Sequence, residues 1–309
     1  MPSSAHFGWS TGVPMIEHMR GSTSVEAESV SRAMAAATAL ARELRLRVDD
    51  AVVIHNSNRL ALHLLPCDVL ARVAPAEHEV AALEVEVALR LGDTASPVAA
   101  LEPGVEPRVY ERDGFAVTLW TYYEVVRPDL DFPGAYAGVL HRLHTGMRSV
   151  EIATTHFLDR AAEAERLVMH RDKTPALAEA DRHLLLSTLQ SAREQISSRG
   201  TAEQLLHGEP HPGNLLSTRD GLLFIDFETC CSGPIEFDVA HVPEEVSTRY
   251  PDIDQVLLAE CRRLVLAMVA AWRWDIRDEF PDGHQHGRHI LSLLRQGPPW
   301  PALGPLIAK

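Results

Sequence analysis

In the stretch His207-Gly-Glu-Pro-His-Pro-Gly-Asn214, the carboxylate of Glu209 and the carboxamide of Asn214 stand five residues apart, with two prolines stiffening the path between them. Twelve residues further on, Asp226 ends the apolar run Leu222-Leu223-Phe224-Ile225. A carboxylate at the tip of a buried strand is costly unless it meets a cation. Asn214 and Asp226 are hard oxygen ligands of the kind Mg²⁺ takes. Glu209, ionised at neutral pH, can accept a hydrogen bond from a hydroxyl and then its proton. A base, two metal ligands and a metal-bound triphosphate are the parts that phosphoryl transfer requires, because that chemistry asks the protein mainly for positioning and charge neutralisation.

The elements that must hold these groups fall into two kinds. Before residue 123 the chain reads as short strands at Ala51–His55, Arg59–Leu65 and Asp68–Val73, then a helix at Glu77–Leu91. A hairpin follows at Arg108–Arg112 and Phe115–Tyr122, turned by Asp113-Gly114. The middle strand alternates Leu60, Leu62 and Leu64 with Arg59, Ala61 and His63, as a half-buried strand does. An amphipathic helix precedes them, with Thr23 and Glu26 spaced as a capping box.

After Tyr123 helical periodicity dominates, at Tyr136–Met147, Phe157–Arg171, Ala176–Ser198, Ile253–Trp274 and Arg288–Arg295. Only the strand pair Leu215–Ser217 and Leu222–Asp226 interrupts it. The expected fold class is α+β and bilobal: residues 1–22 a tail, 23–123 a lobe built on an antiparallel five-stranded sheet with a helix, and 124–309 a mainly helical lobe.

Length supports the division, since 309 residues exceed what one core usually serves. With 46% hydrophobic and 23% charged residues the composition is that of a folded chain. No run approaches the roughly 20 apolar residues that span a bilayer. The N-terminus lacks the basic and apolar regions of a signal peptide, so the expected location is the cytoplasm. A net charge of −14 disfavours nucleic acid or an anionic membrane as partner and favours a cationic small molecule. The four cysteines form no CxxC pair, and reduced, buried thiols are expected. No GxxxxGK[ST] loop is present, which excludes P-loop chemistry.

The pattern His207-Gly208-Glu209-Pro210-His211-Pro212-Gly213-Asn214, then Ile225-Asp226, then Phe237-Asp238-Val239-Ala240, resembles that of the aminoglycoside phosphotransferase and choline kinase family, over about residues 50–275. The resemblance implies a protein-kinase-like fold and an ATP-dependent kinase acting on a small-molecule hydroxyl. Asn214 and Asp226 would hold Mg²⁺, Glu209 would be the catalytic base, and His207 and Asp238 would support the loop. The family's phosphate-anchoring lysine belongs on the third strand. The only lysines here are Lys173 and Lys309, so the role passes to Arg72, with Glu84 its partner and Glu86 second choice. An arginine keeps the charge and the donors but not the geometry. Thr121 and Tyr123 would hold the adenine through backbone groups, and the turn at Ser57-Asn58 would cover the phosphates.

The family has Asp where this chain has Glu209, and the extra methylene can displace a base by enough to cost rate. Two functions are therefore expected: a working kinase, or a nucleotide-binding protein with little transfer activity that acts as a sensor or scaffold. A protein kinase is disfavoured, because the His-Arg-Asp and Ala-Pro-Glu segments of that group are missing.

Plainer readings stand beside these. Taken alone, Arg72 reads as a snorkelling strand arginine and Glu84 as part of a solvated helix face. His284, His286 and His289 read as a solvated turn in preference to a metal site. Glu244, Glu245, Asp252, Asp254, Asp275, Asp278 and Glu279 read as exposed faces that a polyamine could also use.

Overall fold

A computed structural model describes residues 24–56, 59–76, 80–128 and 131–303. Thr23 of the expected capping box and the turn Ser57-Asn58 lie outside the described residues. Two compact units form, one from residues up to Ala81 with Leu101–Asp129, the other from Ala82–Ala100 with Leu130–Lys309.

The first unit opens with helix α1 (Ser24–Glu43). Its buried Ala33, Ala36, Ala37, Leu40 and Ala41 recur at helical spacing and form one apolar stripe. Strands β1 (Val48–Asn56), β2 (Leu60–Pro66) and β3 (Val69–Pro75) follow, and after them β4 (Tyr110–Arg112) and β5 (Phe115–Thr121). The sheet is antiparallel throughout, in the order β1-β2-β3-β5-β4. Leu60, Leu62 and Leu64 are buried, as their alternation predicts, and share a core with Val69, Ala71 and Val73 and the stripe of α1. Asp113 and Gly114 both take positive φ, 51° and 82°, which is the type I′ turn that an Asp-Gly pair favours.

Helix α2 (Val80–Gly92) continues from the first unit into the second. The expected boundary near residue 123 assigned this helix wholly to the first lobe. The difference has a packing cause: Val87, Leu91 and Val98 join the large core of the second unit. The segment after α2 is also tied there, with Phe224 N–H donating to the Pro97 carbonyl at 2.8 Å and Ala99 N–H to the Phe224 carbonyl at 3.0 Å.

The second unit is mainly helical, with α3 (Phe132–Met147), α4 (Phe157–Met169) and α5 (Glu179–Ser197). Two hairpin-like pairs follow: β6 (Gln204–Leu206) with β9 (Cys231–Gly233), and β7 (Leu215–Thr218) with β8 (Gly221–Phe224). Short α6 (Ile235–Val239) and α7 (Glu244–Ser247) lead to α8 (Gln255–Trp272) and α9 (Gly283–Gln296). Asp254 caps α8 by accepting from Val256 and Leu257 N–H at 2.9 and 3.1 Å.

Several expectations are corrected here. The strand before Asp226 ends at Phe224, so Asp226 stands two residues beyond it. The histidine-rich segment is the start of α9 and not a turn. The helix forms because Ile290, Leu291 and Leu294 repay it with buried surface, and Gly287 lets it approach Trp274 closely. His284 stacks on Trp274 at 4.8 Å and His286 meets Phe280 edge-on at 5.1 Å. β6, β9, α6 and α7 were not expected at all; each is only three to five residues long, too short for a periodicity to register.

Among the described residues no helix is long and apolar enough to cross a membrane. All four cysteines are free, and Cys230, Cys231 and Cys261 are buried.

Candidate active site

Strand β6 delivers the chain into the loop His207–Asn214, and the fold locks that loop from beneath. Asp238, on α6 and fully buried, accepts the His207 N–H at 2.9 Å and the Gly208 N–H at 2.8 Å. Its Oδ2 also lies 2.9 Å from His144 Nε2, whose Nδ1 is 2.6 Å from the Tyr250 hydroxyl. The consistent assignment is that His144 donates from Nε2 to the carboxylate and accepts from Tyr250 at Nδ1. Burial pushes the Asp238 carboxyl up, but His144 and the neighbouring imidazoles outweigh it and hold Asp238 below the usual range.

His207 is itself fully buried, packed against Phe224 and Phe227. Its Nε2 donates to the Ile225 carbonyl at 3.0 Å and its Nδ1 faces the Glu209 N–H at 3.4 Å. That is the pattern of a neutral ring, and burial does hold its pKa below the ordinary value. One imidazole thus ties the Glu209 loop to the segment that carries Asp226. Gly208 has φ +88°, and a Cβ there would overlap the Thr229 carbonyl, so the sharp turn before Glu209 needs glycine.

Glu209, Asn214 and Asp226 are all half-buried, protected but accessible. Asn214 Nδ2 donates to the Glu209 carbonyl at 3.0 Å, and its backbone carbonyl accepts the Ile225 N–H at 3.1 Å. The backbone therefore sets Asn214 opposite Ile225, the residue before Asp226. With its amide nitrogen engaged, Oδ1 is the side-chain atom that Asn214 can offer a metal. Asp226 has φ 68° and ψ 68°, the left-handed region in which Asp is among the better tolerated residues. The donor set suits Mg²⁺, which binds through one or two protein oxygens together with phosphate oxygens. Among the described residues no group of three or more His, Cys, Asp and Glu is placed to hold a metal, the histidines of α9 included.

The sequence reading missed Arg160, on α4. Its Nη2 donates to Glu209 Oε1, and its Nη1 donates to the Gly208 carbonyl at 3.1 Å. The guanidinium also lies 5.6 Å from the Trp272 ring centroid. Burial works to raise the Glu209 pKa, yet Arg160, with His241 and His211, holds the carboxyl below its ordinary value. A signal existed: Arg160 falls among Phe157, Ala161, Ala164 and Val168, the buried positions of its helix. A charge in an apolar stripe needs a partner.

The remaining expected residues distribute as follows. Arg72 lies on β3, paired with Thr118 on β5, and Thr121 ends β5 with Tyr123 just beyond. Glu84 is fully buried, which overturns its reading as a solvated helix face. It belongs to the second unit and Arg72 to the first. Glu86 is exposed and pairs with Arg90 at 3.7 Å. Of the acidic residues in the C-terminal half, Glu244 pairs with Arg262, Asp254 with Arg199, Asp275 with Arg277 and Asp278 with Arg273, at 2.8 to 3.1 Å. Those four are engaged by arginines within the protein.

Residues 56–280 match the model of the phosphotransferase enzyme family. The chain belongs to that family. Solved structures with the same protein-kinase-like fold include three to which this chain is similar. Amicoumacin kinase hAmiN, in complex with AMP-PNP, Ca²⁺ and Ami, superposes with a TM-score of 0.65 at 11% identity, over 87% of this chain and 96% of that one. A choline/ethanolamine kinase family protein from Mesorhizobium loti gives 0.64 at 13%, over 89% and 96%. The GDP complex of wild-type aminoglycoside 2'-phosphotransferase-IIIa gives 0.62 at 15%, over 84% and 97%. Comparison with curated proteins returned no match.

Proposed function

We propose that this member of the phosphotransferase enzyme family transfers the γ-phosphoryl group of ATP to a hydroxyl of a small molecule. The observation that carries the reading is the immobilised, ionised Glu209 carboxylate on a loop whose other end presents Asn214 next to Asp226. Glu209 accepts a hydrogen bond from the acceptor hydroxyl and takes its proton as the new O–P bond forms. The bond from phosphorus to the β,γ-bridging oxygen breaks, and ADP leaves with the electron pair. Asn214 and Asp226 would hold Mg²⁺, which when bound neutralises phosphate charge. Arg72 is the proposed cation for the phosphates, with Glu84 its proposed partner, and the backbone near Thr121 and Tyr123 the proposed adenine contact. The AMP-PNP and GDP named with two of the solved relatives support a nucleotide donor.

A second reading, nucleotide binding without transfer in a sensor or scaffold, is favoured by one feature: the Glu209 carboxylate is already engaged by Arg160. The test is ADP release with ATP or GTP over aminoglycoside, macrolide, choline-like and sugar acceptors, alongside thermal shift with Mg²⁺·nucleotide. The kinase reading expects turnover on at least one acceptor, lost in Glu209→Gln with nucleotide binding retained. Asp226→Ala should abolish the nucleotide shift, and unchanged binding there would overturn the site. A nucleotide shift with no turnover on any acceptor would favour the sensor.

A further inference from the structure

Arg160 belongs to no expected part of the site, yet its guanidinium holds both the Glu209 carboxylate and the Gly208 carbonyl. Its helix is fixed to the loop by a closed chain of contacts. His156 caps α4 and exchanges a capping box with Asp159. The Ser232 N–H on β9 donates to the Thr155 carbonyl at 2.9 Å, and His156 bridges Ser232. β9 pairs with β6, and β6 runs directly into His207. The Arg160 backbone and the Glu209 backbone are therefore tied to the same two strands.

From that frame the guanidinium reaches one oxygen of Glu209 and the Gly208 carbonyl together, and Trp272 covers it. The Arg160 side chain is only 13% exposed. A guanidinium taken this far from water is retained at a cost unless its donors are used. Its planar fork suits two acceptors at fixed separation, one on the side chain of Glu209 and one on the backbone that precedes it.

We infer that Arg160 is a positioning residue for the acceptor base, and that it and Glu209 form one unit in which the longer side chain at 209 is the length the guanidinium requires. An aspartate from the same backbone, one methylene shorter, reaches less far toward Arg160 and leaves the buried fork without its carboxylate. Aspartate is thus the wrong residue at this position of this chain. The inference rests on the kinase reading proposed above, and its test is arranged to fail separately from it.

Steady-state kinetics of Arg160→Met, Arg160→Lys and Glu209→Asp are compared with the natural protein, together with Mg²⁺·ATP affinity. Arg160→Met should lower kcat on the order of 100-fold, the cost of a reacting group misplaced by about 1 Å. The KM for ATP and the nucleotide affinity should stay near their original values. Arg160→Lys, which keeps the charge, should recover part of kcat. Glu209→Asp should lower kcat as well, and this variant leaves Arg160 in place should Arg160→Met fail to fold. A rise in kcat in Glu209→Asp or Arg160→Met would show that the pair holds the base away from the acceptor and would overturn the inference. So would a loss confined to KM.

A crystal structure of Arg160→Met or Arg160→Lys gives a readout that needs no turnover. The Glu209 carboxylate is expected to be displaced or split between rotamers in Arg160→Met, and an unmoved single conformer would overturn the inference. Absence of turnover in the natural protein would count against the kinase reading alone, leaving the crystallographic result to decide this one.

Discussion

Asp238 grips Gly208 through a 2.8 Å hydrogen bond from the glycine N–H to Oδ1, while Oδ2 takes the His207 N–H and faces His144. One buried carboxylate on α6 thereby sets the path of the backbone immediately before Glu209. Asp238→Ala should destabilise the protein by about 3 kcal/mol or more, because each buried donor left unpaired costs roughly 1–3 kcal/mol. Urea denaturation checks the value. A variant within about 0.5 kcal/mol of the natural protein, the range of an ordinary surface change, would deny Asp238 this supporting role.

Gly208→Ala tests the same turn from the backbone side. With φ at +88° and the Thr229 carbonyl where a Cβ would go, alanine must either shift the Thr229 backbone or abandon the turn. The strain alone is of order 1–3 kcal/mol. Both thermal stability and transferase activity should fall. An unchanged melting temperature would mean that the turn relaxes freely.

At Asp226 the proposed ligand role and the backbone can be separated by comparing two substitutions. Asp226→Gly and Asp226→Ala both remove the carboxylate and should both abolish binding of Mg²⁺·nucleotide. Only alanine must then hold a left-handed φ of 68°. That conformation costs roughly 1–2 kcal/mol for a residue with a Cβ, partly offset by the greater chain entropy of glycine. Asp226→Gly should therefore be the more stable of the two by about 1 kcal/mol, as differential scanning calorimetry would register. Equal stabilities would argue that the local backbone rearranges once the carboxylate is gone.

Acid should weaken the fold through buried imidazoles. Burial pushes His241 down to about 4, with its Nδ1 held 2.8 Å from the Phe237 carbonyl. The unfolded chain takes up a proton near 6.5, the folded one only near 4, so between those values the unfolded state binds more protons. Stability is then full above pH 6.5 and falls as pH drops toward 4, with a slope approaching 1.36 kcal/mol per pH unit from this residue. His207 is shifted in the same direction and adds to the loss. Asp238, held below its ordinary 3.8, contributes stability that is present above that value and is lost as pH falls through its lower folded pKa. Melting temperatures from pH 7 to pH 4 should decline in the natural protein and decline less in His241→Phe. Parallel curves would count against His241 as a source.

Much of the candidate site's arrangement is legible in the chain because it is local. Glu209, Asn214 and Asp226 sit on one loop and the hairpin after it, and turn residues and an apolar run mark that arrangement directly. The sheet of the first unit was equally legible, since alternation in β2 and the Asp113-Gly114 turn are properties of a few neighbouring residues. Taken alone, Glu84 reads as solvated, because a glutamate in an Ala- and Val-rich helix has no obvious partner. Yet it lies in the stripe of Ala81, Val85 and Ala88, all of them buried. The start of α9 was misjudged because Pro281-Asp282-Gly283 resembles a turn, whereas buried Ile290 and Leu291 draw the helix back to Gly283.

By itself, then, the sequence determined the family, the phosphotransferase enzyme family, and the candidate residues: a carboxylate, an amide and a second carboxylate at kinase-like spacing. Tertiary structure alone decided what holds them. Arg160 and Glu209 are 49 residues apart, and His144 and Asp238 are 94 apart. No periodicity within either segment encodes those meetings. They arise because α3 and α4 pack against the short strands and α6, and because a buried guanidinium, imidazole or carboxylate must find its partner among whatever that packing brings within reach.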